Sequence, residues 1–331
     1  GVMTGLYEAL LLLEGHDIDV MGLDEGALFY PQEPVLTIQG NYKDFCDLET
    51  ALLGFLCQSS GISTKSSRLK KIAGEKPILS FGVRRMHPTI APMIDRAAYI
   101  GGLDGFSCIG AEEVVGKKAT GTMPHSLALM LGDSKEAFVL FDQIIDKNVP
   151  RIVLVDTFCD EKREALIAAE SIKNLTGVRL DTPGSRRGNM SKIIQEVRWE
   201  LDIRGYKDVK IFLSGGLDEE SLKTLTGADA YGVGTSVSNA KTIDFALDIV
   251  EIDGVPFTKR GKLSGKKTIL RCPKCLSGKI TYGKTNEKCT CGEKFKPAQK
   301  QLMKKGKILI DFEDANEIRD RVLDQIKIVE I

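Results

Sequence analysis

The chain has 331 residues, 42% of them hydrophobic, and its 46 basic residues cancel 46 acidic ones. Single cores stop growing near roughly 250–300 residues, so this length implies two domains and a small appendage. Zero net charge gives no whole-molecule field towards nucleic acid or membrane, so no nucleic-acid partner is expected and any anion must be held by a local site. No apolar run approaches the ~20 residues of a membrane span and no leader opens the chain, so a cytoplasmic protein with no membrane partner is expected.

Residues 2–13 have helical apolar spacing, and residues 35–38, after the breaks at Pro31 and Pro34, predict a strand. Residues 45–73 predict a long helix interrupted near Gly61. Its second half carries Lys65, Arg68, Lys70 and Lys71, either a solvated face or an anion-facing one. From Pro77 the pattern becomes short apolar runs ending in polar or glycine-rich turns: ILSFG (78–82), RIVLVDT (151–157), GVRLDT (177–182), VKIFLSGG (209–216) and ADAYGVGT (228–235). Helical stretches fit 160–174, 189–204, 219–225 and 240–250. Near-continuous apolar strands alternating with amphipathic helices indicate a parallel sheet buried on both faces, and the series predicts a barrel or doubly wound sheet. After Gly254 a basic, broken segment reads as a return strand and linker, followed by a cysteine module and a charged tail.

In parallel α/β architectures the strand C-termini form the active face. Here they bear Arg84 and Arg85, Asp156 and Thr157, Arg179 and Asp181, Ser214-Gly215-Gly216, and Gly232-Val233-Gly234-Thr235. Two successive strands ending in glycine turns that enter helices would aim bare N–H groups at one point, a phosphate cradle that a Cβ would obstruct. Arg84, Arg85, Arg179, Arg186 and Arg187 bring five guanidiniums to this face, suited to a polyanion where they are not spent on Asp95, Asp156 and Asp181. Of three histidines, His16 lies in a polar turn, His87 follows the arginine pair, and His125 starts a helical stretch, where a structural hydrogen bond is the ordinary reading.

The cysteines form two groups. Cys46, Cys57, Cys108 and Cys159 are isolated and read as buried thiols, whereas Cys272-x-x-Cys275, followed after thirteen residues by Cys289-x-Cys291, predicts a structural tetrahedral zinc site. Two local disulfides are the alternative, disfavoured in a reducing cytoplasm. Residues 270–296 hold few large apolar side chains, so metal is expected to supply much of the module's stability.

FGVRRMHP (81–88), GTMPHSLALMLGD (121–133), RLDTPGSRRGN (179–189), SGGLDE (214–219) and GVGTS (232–236), in that order, resemble the nicotinate phosphoribosyltransferase family, especially its archaeal branch. The STK segment at 63–65 and the cysteine tail also fit, and the resemblance runs over most of the chain. It implies a type II phosphoribosyltransferase: an irregular, incompletely closed α/β barrel with an N-terminal α/β sandwich domain and a small C-terminal zinc-knuckle-like module. The corresponding boundaries are 1–75 for the sandwich, 76–237 for the barrel, 238–268 for the return segment and linker, and 269–331 for the cysteine module and tail.

The resemblance further implies formation of nicotinate mononucleotide and pyrophosphate from nicotinate and phosphoribosyl pyrophosphate in NAD biosynthesis, with Mg²⁺ and with ATP coupled through a phosphohistidine at His125. Arg179 and Asp181 resemble the pair flanking the ribose. Arg84, Arg85, Lys65, Asp156 and Thr157 would bind substrate, and Ser214, Gly215, Gly216, Gly234 and Thr235 the 5′-phosphate. A homo-oligomer, at least a dimer with the site near its interface, is implied too. Two departures stand out: the family carries a further N-terminal segment with an Asp/Tyr motif ahead of residue 1, and RLDTPGS replaces the HDSGD-like wording of bacterial relatives. Quinolinate phosphoribosyltransferase is the alternative within the fold. From another class comes a zinc-ribbon nucleic-acid-binding protein, on the cysteine module and the lysines at 294–307.

Overall fold

The computed structural model describes residues 1–283 and 287–331; residues 284–286, inside the expected cysteine module, lie outside the described residues. The chain opens with helix α1 (Leu6–Leu13), antiparallel strands β1 (Ile18–Gly22) and β2 (Leu36–Gly40), and the 25-residue helix α2 (Glu49–Ala73). Strand β1 alternates buried and half-buried residues. Its inward Ile18 and Val20 meet Leu6, Leu10 and Leu13 of α1 and Leu52 and Leu56 of α2 in one apolar cluster.

Helix α2 runs unbroken through Gly61, contrary to the expected interruption. The glycine serves close packing instead: a Cβ at Gly61 would lie 2.4 Å from the Lys241 carbonyl oxygen.

The central part begins with β3 (Ile78–Ser80), α3 (Ala91–Ile100), β4 (Gly105–Phe106), α4 (Glu112–Val115), α5 (His125–Leu131) and α6 (Ser134–Ile144). It continues through β5 (Ile152–Leu154), α7 (Glu161–Ser171), β6 (Gly177–Leu180), α8 (Met190–Ile203), β7 (Lys210–Leu213), α9 (Glu219–Thr224), β8 (Ala230–Val233) and α10 (Thr235–Ser238). The six strands run parallel in the order β4-β3-β8-β7-β6-β5, with no pairing between β4 and β5. The sheet therefore curls without closing, which is the irregular barrel the resemblance implied. Strands β6 and β8 are buried at every residue, as parallel strands covered on both faces should be.

No helix forms over 240–250. Ile243, Phe245 and Leu247, spaced by two, pack on the N-terminal cluster, with the Phe245 ring 5.1 Å from that of Phe29. An alternating pattern was thus hidden inside an apparently helical one.

A hairpin of β9 (Glu251–Ile252) and β10 (Val255–Pro256) follows, turning at Asp253-Gly254 with positive φ at both. Strands β11 (Thr268–Arg271), β12 (Gly278–Thr281) and β13 (Lys296–Pro297) make a separate three-stranded sheet. Strand β14 (Lys300–Lys304) then pairs antiparallel with β1, and β15 (Lys307–Ile308) pairs with β14, so the tail completes the N-terminal sheet. Helix α11 (Ala315–Ile328) sets Ile318, Val322 and Ile326 against Phe106, Ala111 and Val115, covering the open side of the barrel at β4. Among the described residues no helix is long and apolar enough to cross a membrane.

Asp95, fully buried on α3, ties that open side together. It accepts from Ser80 Oγ at the end of β3 (2.6 Å) and from the Ser107 and Cys108 N–H groups after β4 (3.1 and 2.8 Å). Burial nevertheless raises its carboxyl pKa above the ordinary value, against the pull of those donors. A folded-state pKa above the unfolded one contributes stability that is fully present below the unfolded pKa and lost as pH rises through the raised value. Asp95→Asn, which keeps an acceptor and removes the charge, is expected to flatten this decline and stay within about 1 kcal/mol of wild type at neutral pH. Asp95→Ala, leaving buried donors orphaned, should cost about 2–4 kcal/mol in urea melts.

Candidate active site

The C-terminal ends of β6 and β7 are joined by a compact polar knot. Arg179 Nη1 lies 3.1 Å from Asp181 Oδ2 and donates to Ser214 Oγ at 3.1 Å, while Ser214 Oγ donates to Asp181 Oδ1 at 2.7 Å. Arg179 Nη2 donates to the Met123 carbonyl (3.1 Å), fastening the segment before α5 to the same point. Arg179 is 8% exposed, and its Nε is buried without a partner. A small cavity at the barrel mouth is lined by Phe81, Thr120, Thr122, Arg179, Ser214 and Gly232.

Beyond Ser214, Gly215 and Gly216 adopt φ of +87° and +64°, the region that side-chain-bearing residues avoid. The turn passes into α9 through a capping box, Asp218 accepting from Ser221 N (2.8 Å) and donating its own N–H to Ser221 Oγ (2.7 Å). On the next strand, Gly234 is the residue preceding α10, which starts at Thr235. Both glycine turns thus sit on adjacent strands of the sheet.

Asp156, two residues past β5, has a side chain only 2% exposed. His125 Nε2, on the first residue of α5, is 3.3 Å from both its oxygens, with hydrogen-bond geometry to Oδ2; Oδ1 is buried with no hydrogen-bond partner among the described residues. Burial raises the Asp156 pKa, His125 opposes the rise, and Asp181 adds to it. The next residue, Thr157, has a buried hydroxyl without a partner. Its N–H and that of Phe158 donate to Glu164 (2.9 and 2.8 Å), which also accepts from Ser134 Oγ (2.7 Å). Sequence reasoning missed Glu164, although a carboxylate in line with the buried Ala165 and Ala168 on the inner face of α7 was a readable signal of a satisfied buried acid.

The five arginines do not form one free set. Arg187 Nη2 donates to the carbonyls of Thr182 (2.8 Å) and Gly215 (2.6 Å), stapling two turns together, and Arg179 is held in the knot. Arg84 and Arg85 follow β3 in a short 3₁₀ turn, exposed and without an ion pair among the described residues; Arg186 is exposed as well. Lys65 is committed to Glu219 at 2.7 Å.

The family models for the N-terminal and C-terminal domains of quinolinate phosphoribosyl transferase match residues 1–60 and 62–248. The chain belongs to this family. It is 52% identical to a nicotinate-nucleotide pyrophosphorylase of Pyrococcus furiosus, with a TM-score of 0.97 and coverage of 100% of this chain and 86% of that one. It is 31% identical over 268 residues to the nicotinate phosphoribosyltransferase pncB1 of Mycobacterium tuberculosis, covering 76% of this chain and 59% of the relative. The chain thus spans under two thirds of the length of that curated relative. Human nicotinic acid phosphoribosyltransferase, 20% identical, shares the fold at a TM-score of 0.75 over 98% of this chain and 79% of that one.

This member of the quinolinate phosphoribosyl transferase family also gathers Cys272, Cys275, Cys289 and Cys291, whose Sγ atoms all lie within 4.8 Å of one another. The Cys272–Cys291 and Cys275–Cys289 sulfurs are 3.4 and 3.5 Å apart, too far for disulfides and near the roughly 3.8 Å that four Zn–S bonds of about 2.3 Å set. Each pair sits in a tight turn: Leu276 N donates to Cys272 O (3.1 Å), and Gly292 N to Cys289 O (2.9 Å). The Ser277 hydroxyl and the Cys291 N–H beside Cys289 hold its thiol down to about 6. The isolated cysteines are less buried than expected: Cys46, Cys57 and Cys108 are half-buried, and Cys159 is exposed on the turn after β5.

Proposed function

We propose that the chain is a nicotinate phosphoribosyltransferase, joining nicotinate to phosphoribosyl pyrophosphate in NAD biosynthesis. The observation that supports this reading best is the Arg179–Asp181–Ser214 knot at the barrel mouth, in a chain whose curated relatives bear that enzyme's name. Displacing pyrophosphate from C1 builds positive charge on the ribose and negative charge on the leaving group, so charge stabilisation is the main task. Asp181 faces the ribose with Arg179 behind it. The turn at Ser214, Gly215 and Gly216, with Gly234 and Thr235, takes the 5′-phosphate through backbone N–H groups. Arg84 and Arg85 serve the nicotinate carboxylate and the departing pyrophosphate. Lys65 joins them once it leaves Glu219.

The unpartnered Oδ1 of Asp156 suits a hard cation, so Asp156 and Asp181 would hold Mg²⁺, which neutralises phosphate charge when bound. The four thiolates hold structural Zn²⁺. A homo-oligomer with the site near its interface belongs to the same reading.

His125 couples ATP to the cycle. With Nε2–H donating to Asp156, Nδ1 carries the free lone pair and attacks the γ-phosphoryl group of ATP, releasing ADP. His125→Ala should therefore abolish ATP stimulation while leaving some ATP-independent transfer. Full ATP coupling in this variant would reduce His125 to a structural helix-start residue. The second reading, quinolinate as substrate, is favoured by the family models that match both parts of the chain. Side-by-side turnover of nicotinate and quinolinate, with and without ATP, decides between them.

A further inference from the structure

Charge in this neutral chain is unevenly placed. Residues 257–307 contain 16 lysines and arginines against only Glu287 and Glu293, leaving 30 basic and 44 acidic residues for the remainder. Among the described residues, Arg260, Lys266, Lys267, Lys274, Lys288 and Lys294 have no carboxylate partner, in contrast to Arg271, which is paired with Glu33 at 2.6 Å. A run of cations on a flexible tail would be an ordinary solvated surface. This one is mounted rigidly: the Arg271–Glu33 pair and Tyr30 OH, donating to Leu276 O at 2.9 Å, fix the cysteine module to the N-terminal layer.

The same segment carries exposed aromatic rings. Phe257 and Tyr282 are each 61% exposed, and Lys267 Nζ stands 5.9 Å above the Tyr282 ring. Gly265 brings them together, since a Cβ there would lie 3.2 Å from the Tyr282 ring and 3.8 Å from Pro256 beside Phe257. Gly265 N and Phe257 N both donate to Val250 O (2.6 and 3.1 Å), anchoring hairpin and linker to one point. None of these side chains contacts the Arg179–Asp181–Ser214 knot, so the surface is not accounted for by phosphoribosyl transfer.

We propose that the linker and cysteine module form a binding surface for single-stranded nucleic acid. Cations without carboxylate partners, carried on the linker and turns beside a rigidly anchored sheet, match a phosphate backbone, and exposed rings offer stacking faces to unpaired bases. A duplex hides those base faces. A membrane surface would be met by an amphipathic helix, and among the described residues this segment contains none.

The test uses the full chain, zinc-replete, with fluorescently labelled 20-nucleotide single-stranded RNA and DNA of mixed sequence, read by anisotropy across salt concentrations. Binding of either strand is expected, with log affinity falling against log salt at a slope near −3 for about four phosphates neutralised. Tyr282→Ala and Phe257→Ala should each weaken it by at least ~5-fold. Lys288→Glu should weaken it by about 10-fold, and all three variants should keep wild-type zinc content, melting temperature and transfer activity. The proposal is overturned by absence of binding at 50 mM salt, by affinity indifferent to both aromatic variants, or by equal affinity for heparin or phosphatidylserine vesicles.

Discussion

Replacing Asp181 by alanine is expected to lower phosphoribosyl transfer by at least ~10²-fold with the fold intact. In the reaction proposed above its carboxylate faces the point where cationic character grows on the ribose, and preorganised charge at such a point is typically the largest catalytic contribution. The side chain is 29% exposed, so its removal opens no deep cavity, and Ser214 Oγ and Arg179 Nη1 keep other partners or reach water. Asp181→Asn retains an acceptor for Ser214 but not the charge, and it should lose nearly as much rate as the alanine variant. The loss belongs in kcat as well as kcat/KM, because the interaction strengthens only as the transition state forms. Arg179→Ala should match it in rate and also destabilise the protein, since that residue is 8% exposed and fastens three segments. Near-normal turnover in a folded Asp181→Ala variant would remove this strand end from the site.

The second large effect concerns metal. Elemental analysis should give about one zinc per chain, and Cys272→Ser should abolish it. Cys272 is the fully buried member of the four, and its N–H and carbonyl close the first turn with Ser277 and Leu276. Structural zinc sites contribute on the order of 10 kcal/mol in apparent terms, far above what the short strands β11, β12 and β13 could supply by burial. Chelation should therefore expose residues 268–297 to protease while the barrel keeps its melting transition. Protein carrying neither zinc nor free thiols at these positions would rule out the site.

The barrel strands were legible because burial on both faces writes itself as a continuous apolar run, as in RIVLVDT and VKIFLSGG. The polar strand ends were legible for the same reason: they interrupt such runs. What the sequence concealed was mostly long-range. Nothing local distinguishes Arg187, bonded to two carbonyls, from Arg84, which has no ion pair among the described residues. Lys65 likewise looked free until α9 folded Glu219 against it. Strands β4 and β14 and helices α3 and α11 passed unnoticed because their burial depends on partners far along the chain. Gly61 misled in the opposite direction, its meaning resting on Lys241 and not on its neighbours in α2.

Strand β14 pairs with β1 across about 280 residues, Val20 lying opposite Met303. During synthesis β1 can pair at once with β2, but its other edge has no partner until residues 300–304 have left the ribosome. An unpaired edge held open that long invites pairing between nascent chains. Chains released before residue 300 should thus aggregate through this edge even where their barrels have formed, and refolding of the intact chain should be slowed by the long-range closure of β14 onto β1.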